Sequence, residues 1–282
     1  MLGLAVCLAA RARRLEKATR ELTAGSALDQ AEAGSAKRDL SRRITARNRH
    51  HILHPSTWCV SAAQLQALLD RVDCTYGDDD PSVYTVVEEI IKPATEERGE
   101  SYALLLNQSG LPVKHFITHT WAEGMKHFCQ SLLSLNLTGG LWICFLANPQ
   151  TWPADDLDRL LGSNAWLSPF AVALGDAERV VAVRNSNVNM YTRLWCVFEL
   201  YAAYTRGKPV CPVGPSHQDP DPDSIGLNAE CSVERDAKRL RAAMEHCADE
   251  VNEWVCGVLQ DSTVEDESFE SPAASPAPAA RT

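Results

Sequence analysis

Apolar residues along the middle of this chain recur at two alternating spacings. Leu65, Leu68, Leu69 and Val72 follow helical spacing behind Ser61-Ala62-Ala63-Gln64, a capping-box pattern that predicts a helix. Asp80-Pro81 predicts the start of a second helix, with Val83, Val86, Val87, Ile90 and Ile91 inward and Pro93 as its stop. Residues 113–118 then read as a strand. Residues 122–135 read as a helix that buries Met125, Phe128, Cys129, Leu132 and Leu135. Gly139-Gly140 turns into a strand over 141–146, and Ser168-Pro169-Phe170 opens a short helix to Leu174. A strand over 179–183 precedes an almost wholly apolar helix, and a short strand over 209–213 follows it. A last helix over 233–259 steps through Leu240, Met244, Cys247, Val251, Trp254 and Val258. Continuously apolar strands alternating with helices predict an α/β fold, a parallel sheet covered on both faces.

Composition adds boundaries to this pattern. With 282 residues, 45% apolar content and seven Trp, the chain can bury a substantial core. Residues 1–54 are Ala- and Arg-rich and predict a helical or disordered arm; residues 55–260 predict the globular part. From 261 to 282 the composition falls to Ser, Pro, Ala and Glu, which predicts a disordered tail. Residues 1–50 carry eleven Lys/Arg against five Asp/Glu, so the remainder is strongly acidic within a total of −10. An acidic body argues against a nucleic-acid surface, while the basic arm suits an anionic partner.

No apolar run reaches the roughly 20 residues of a membrane span. The apolar stretch 1–10 precedes Arg11 instead of following a charge, the reverse of a secretory signal. The ten cysteines include no C-x-x-C pair and most lie in apolar runs, which fits reduced, buried thiols in the cytoplasm. His50, His51 and His54 read as a solvated junction without acidic or cysteine partners. His115 and His119 stand about 13 Å apart on one strand face, too far to share an ion. No metal site is expected.

The chemistry concentrates at Thr192 to Tyr201. Between Arg193 and Arg206 every residue is apolar, aromatic or small except Thr205 and Glu199. Burying that carboxylate raises its pKa unless it is paired. Trp195, four residues earlier, shares its helical face, and together they suit a flat cationic ring. The alternative is a structural acid paired with Arg184 or Arg193.

Phe116-Ile117-Thr118-His119-Thr120-Trp121 and Leu194-Trp195-Cys196-Val197-Phe198-Glu199-Leu200 together resemble a TIR (Toll/interleukin-1 receptor) domain. The likeness is greatest to the divergent TIR-like proteins of microalgae and dinoflagellates. Those share Thr118-His119-Thr120-Trp121-Ala122-Glu123-Gly124, Cys144-Phe145-Leu146-Ala147-Asn148-Pro149-Gln150, Ser168-Pro169-Phe170-Ala171 and Arg193-Leu194-Trp195-Cys196. The resemblance spans about residues 100–215.

It implies a flavodoxin-like, five-stranded parallel sheet whose cleft lies at the strand C-termini, with residues 119–123 near residues 185–193. It also implies cleavage of the nicotinamide–ribose bond of NAD+, as substrate and with no separate cofactor. Glu199 would be the catalytic carboxylate and Trp195 the stacking plate; His119, Thr120, Trp121 and Arg193 would complete the substrate site. Asn148, Gln150 and Trp152 are candidates on the loop after the second strand, which in this family often completes a neighbouring subunit's site. That segment, 148–168, is longer than usual and lacks the family's acidic and glycine pattern; no Gly-rich phosphate loop opens a helix. Two functions therefore stand at this stage. One is an NAD+ nucleosidase in a signalling or stress response, self-associating through TIR-like surfaces. The other is a non-catalytic interaction module in signal transduction.

Overall fold

The computed structural model describes residues 48–186, 188–215 and 224–253. Most of the expected arm, the whole Ser/Pro/Ala tail and the C-terminal part of the last helix lie outside the described residues. Four strands, β1 (Val113–Thr118), β2 (Gly140–Ile143), β3 (Arg179–Val183) and β4 (Val210–Val213), form one parallel sheet in the order β2-β1-β3-β4. Phe116 stands in register with Trp142 on one side and Val180 on the other. Its neighbour Ile117 aligns with Ile143 and Val181.

The period of two sends these rows to opposite faces. Ile117, Ile143 and Val181 join one core with α1 (Ala62–Tyr76), α2 (Val83–Thr95) and α4 (Met125–Ser134). Phe116, Trp142 and Val180 join a second with α7 (Pro169–Asp176) and Ala202 and Ala203 of α8 (Leu194–Thr205). Both faces are thus covered, as the apolar strands require. α9 (Glu234–Met244) packs Leu240 and Met244 outside α8. The short helices α3 (Tyr102–Leu106), α5 (Cys144–Ala147) and α6 (Ala154–Leu161) complete the described body.

Local chemistry explains most boundaries. Both halves of the Ser61–Gln64 capping box are formed, at 3.2 and 2.8 Å. Ser168 caps α7, which runs to Asp176, two residues beyond the expected end.

The second helix departs from expectation at both ends. Ser82 caps it, and α2 begins at Val83; Asp80 instead accepts from the Lys126 amide at 2.7 Å and so caps α4. Pro93 does not stop α2. The segments Val83–Val86, Val87–Ile91 and Lys92–Thr95 run on as one helix, the middle one widened to π-type bonding. Proline removes an amide and crowds the carbonyl four residues back, and the wider turn just before Pro93 leaves room for that.

Three further corrections concern the sheet and its flanks. β2 ends at Ile143, and Cys144, Phe145 and Leu146 form α5, because the chain must turn at the sheet edge to reach Asn148. The fifth strand implied by the resemblance is not present among the described residues. After β4 the chain returns through the turn Gly226–Asn228 to α9, and Glu230 makes only an isolated bridge to Arg193. The last helix breaks at Met244 into the 3-10 turn Glu245–Cys247.

His50 is buried, not solvated. Its Nε2 accepts from the Ser101 amide at 3.1 Å, its ring lies edge-on to Trp58 at 4.5 Å, and burial pushes its pKa down to about 3. Arg49 pairs with buried Glu100, so Arg49 and His50 are tied to the body although the composition groups them with the arm. Of the described cysteines all are free thiols, but only Cys59, Cys129 and Cys196 are buried; short apolar runs do not guarantee full enclosure. No helix among the described residues is long and apolar enough to cross a membrane.

Candidate functional site

In this strand order the chain leaves β1 toward one edge and β3 toward the other. Between their carboxyl ends lies the switch point where parallel α/β sheets open a crevice. A cleft of about 270 Å³ occupies that position. Glu199, Trp195, His119, Thr120, Trp121, Arg193, Asn148 and Gln150 all line it. Trp152 does not. Its indole donates to Gly99 O at 2.7 Å and its ring lies 5.4 Å from His50, so it fastens the loop to the body.

The loop after β1 and the loop after β3 meet across the crevice, as expected. Asn185 Nδ2 donates to Thr120 Oγ1 at 3.1 Å and lies 3.4 Å from Glu123 Oε2. Glu123 in turn holds His119, with Oε1 2.8 Å from Nδ1. The other imidazole nitrogen, Nε2, lies 3.4 Å from Cys144 Sγ, and Trp121 Nε1 donates to the same sulfur at 3.1 Å. Burial opposes charge on His119, but Cys144 and Glu123 outweigh it and raise its pKa to about 10. Burial also raises the Glu123 carboxyl, partly offset by His119.

Glu199 enters from α8, whose apolar sequence buries nearly every face. It is 4% exposed, and that small opening faces the cleft. Among the described residues it has no salt bridge. Arg184 donates to Gly214 O at 3.0 Å, and Arg193 to Ser232 Oγ at 2.8 Å with Glu230 at 3.8 Å, so neither anticipated arginine pairs with it. Burial lifts its pKa to about 7; the neighbouring Thr118 hydroxyl and the charge of His119 pull the other way. Thr118 Oγ1 itself is buried without a hydrogen bond of good geometry, so its help is partial.

Trp195 is half-buried. One ring face stacks on Phe170 at 4.4 Å and 24°, and Nε1 donates to Asp236 Oδ2 at 3.1 Å. Phe170 continues to Trp142 at 5.0 Å and Trp142 to Phe116 at 4.9 Å, an aromatic ladder from sheet to cleft. A planar ligand therefore has only the far face of Trp195 to stack on.

Comparisons with family models, curated proteins and solved structures return no match.

Sequence reasoning missed several cleft residues. Tyr84, Cys144, Leu157, Leu161, Phe170, Cys231 and Asp236 all line it. Cys144 sits in a quoted motif and His119–Glu123 has i,i+4 spacing, so that group had a local signal. Tyr84 and Asp236 come from elements more than 30 positions from the motifs, and nothing local marks them.

Proposed function

We propose that this chain is a TIR-like α/β domain whose cleft cleaves the nicotinamide–ribose bond of NAD+. The observation that carries this reading is Glu199: a buried acid with no salt bridge among the described residues, one helical turn from an indole, at the switch-point crevice. A cationic ring entering the cleft would meet the only carboxylate on α8 and the free face of Trp195. Nicotinamide in NAD+ leaves without a proton, so the enzyme's task is to stabilise the oxocarbenium-like ribosyl centre. An ionised Glu199 in a dry pocket supports that task. A cation binding there favours the ionised form and would lower the raised pKa of Glu199.

A second reading is favoured by a specific observation. Arg193 is the cleft's one Arg or Lys among its described lining, and it is engaged by Ser232 and Glu230. A dinucleotide needs a partner for its pyrophosphate, and a non-catalytic TIR-like interaction module needs none. Self-association supplies the missing group under the first reading if a neighbouring subunit's loop reaches the cleft.

The test is incubation of concentrated full-length protein with NAD+ and chromatographic detection of nicotinamide, beside Glu199→Gln. Release by the wild type and not by the variant supports the enzyme. No release at any protein concentration where sedimentation shows oligomers leaves the interaction module.

A further inference from the structure

Cys144 and Glu123 have no part in the reaction just proposed, and His119 only lines its site, yet the three have the order of a nucleophile, a base and an orienting acid. Cys144 Sγ opens into the cleft, accepts from Trp121 Nε1 at 3.1 Å and lies 3.4 Å from His119 Nε2. His119 Nδ1 is fixed by Glu123 Oε1 at 2.8 Å and by Thr120 O at 3.2 Å, which leaves Nε2 aimed at the sulfur. Glu123 is fully buried and is braced by Asn185 at 3.4 Å.

A second observation, independent of the thiol, points to a ligand. Asn148 is 5% exposed and lines the same cleft, and its Oδ1 is buried without a hydrogen-bond partner. Its Nδ2 already donates to Cys144 O at 3.0 Å, so the unmet atom is an acceptor. An orphaned acceptor in a cleft calls for a ligand N–H or O–H. Its polarity is wrong for an acyl-transfer oxyanion, which needs donors.

We infer that Cys144 is a nucleophilic modification site for α,β-unsaturated carbonyl compounds that carry an N–H or O–H beside the carbonyl. The thiolate sulfur attacks the β-carbon and the S–C bond forms. The π electrons of the C=C bond move toward the carbonyl, and the α-carbon takes the proton from the His119 imidazolium. The products are a thioether and a neutral imidazole; nothing is oxidised and no group leaves. The donor on the ligand meets Asn148 Oδ1. The raised pKa of His119 agrees with an imidazolium held beside this sulfur. The ionisable groups that act on the thiol are His119, at 3.4 Å, and Cys196 on α8; Glu123 acts through His119, and His127 on α4 acts on Glu123.

The test treats the folded full-length protein with limiting maleimide, which carries the N–H, or N-ethylmaleimide, which lacks it, at pH 6. Peptide mass spectrometry then follows each cysteine over time. Exposed Cys74 serves as the internal reference. With His119 held against its sulfur to deliver the proton, Cys144 should react about tenfold or more faster than Cys74. Maleimide should be preferred at Cys144 and not at Cys74. His119→Gln should reduce Cys144 to the reference rate, and Asn148→Leu should erase the preference for maleimide. Labelling of Cys144 no faster than Cys74 in the wild type overturns the inference, whether or not the variants fold. The chemistry requires no NAD+, so a failed nicotinamide assay leaves this test intact.

Discussion

Trp195 Nε1 donates to Asp236 Oδ2 at 3.1 Å, joining the middle of the cleft to α9. Burial raises the Asp236 carboxyl, with Trp195 and Arg239 partly offsetting it. This bond sets the angle of an indole already stacked on Phe170. Asp236→Ala should cost roughly 1–2 kcal/mol, since it leaves the indole N–H short of a partner. Trp195→Phe keeps the stack and loses the same bond, so the double variant should cost less than the two singles together. If Trp195 also plates the substrate ring, Trp195→Phe weakens substrate binding moderately and Trp195→Ala removes turnover. If it only packs, both act on the melting temperature alone. Urea melts and nicotinamide-release kinetics measured on the same samples separate the two outcomes.

Gly124 is a position where a methyl group has no room. A Cβ there would lie 2.1 Å from Asp80 Oδ2 and 2.5 Å from Asp80 Cγ. Asp80 cannot swing away freely, because it accepts from the Lys126 amide at 2.7 Å and the His127 amide at 3.3 Å at the start of α4. Gly124→Ala should therefore lose the cap as well as meet the clash. Asp80→Ala alone should cost about 1 kcal/mol, a typical cap. Gly124→Ala should cost more than that, and in the Asp80→Ala background its penalty should shrink. Equal penalties in both backgrounds would show that the contact is not the cause.

What the sequence disclosed and what it hid follow from range. The apolar strand rows at 116–117, 142–143 and 180–181 betray a sheet buried on both faces, because every residue in them must be apolar. The capping box at Ser61 is a three-residue device and is readable in place. The lining of the cleft by Glu199, Trp195, His119 and Arg193 rests on motifs whose strand ends the topology brings together. Long-range choices are not local. The sequence does not disclose whether Glu199 is paired, because the arginines that would neutralise it find carbonyl and hydroxyl partners supplied by Gly214 and Ser232. His50 looks like a solvated histidine until Trp58 and Trp152 close around it. Pro93 is a helix stop only where the preceding turn cannot widen.

The segment after β2 is fastened to α9 by charge. Asp158 on α6 pairs with Arg239, which is almost fully buried, and with Arg235 at 2.8 Å. Asp158 feels some desolvation, but both guanidinium groups hold its carboxyl below the ordinary value of 3.8. A lowered folded-state pKa means that this stabilisation is present above the ordinary carboxylate range and is lost as pH falls below it. The pair is partly exposed and screened, so Asp158→Asn should cost only about 1 kcal/mol at neutral pH. That cost should shrink in 1 M salt and fade as pH falls below the ordinary carboxylate range. Limited proteolysis within residues 148–168 should accelerate in the variant at low salt. An unchanged cleavage rate there would mean that Trp152 and the apolar contacts alone hold the segment.

Glu199 gives the sharpest test, because its position has a stability consequence separate from catalysis. Its folded-state pKa of about 7 lies above the ordinary 4.5. Below pH 4.5 the acid is protonated in both folded and unfolded chains and costs nothing. As pH rises from 4.5 to about 7, the unfolded chain ionises first, so the folded state loses stability; above 7 the loss is complete. The size of the shift sets that loss at about 3 kcal/mol. Glu199→Gln should therefore match the wild type near pH 4 and exceed its stability by up to that amount at pH 8. Under the enzyme reading, wild-type kcat/KM rises with pH through about 7 as the carboxylate ionises, and the glutamine variant, although more stable, releases no nicotinamide. Denaturant melts at pH 4 and pH 8 check the first part, and a pH–rate profile checks the second. A variant equally destabilised at both pH values would show that Glu199 contributes a structural hydrogen bond in place of a strained charge.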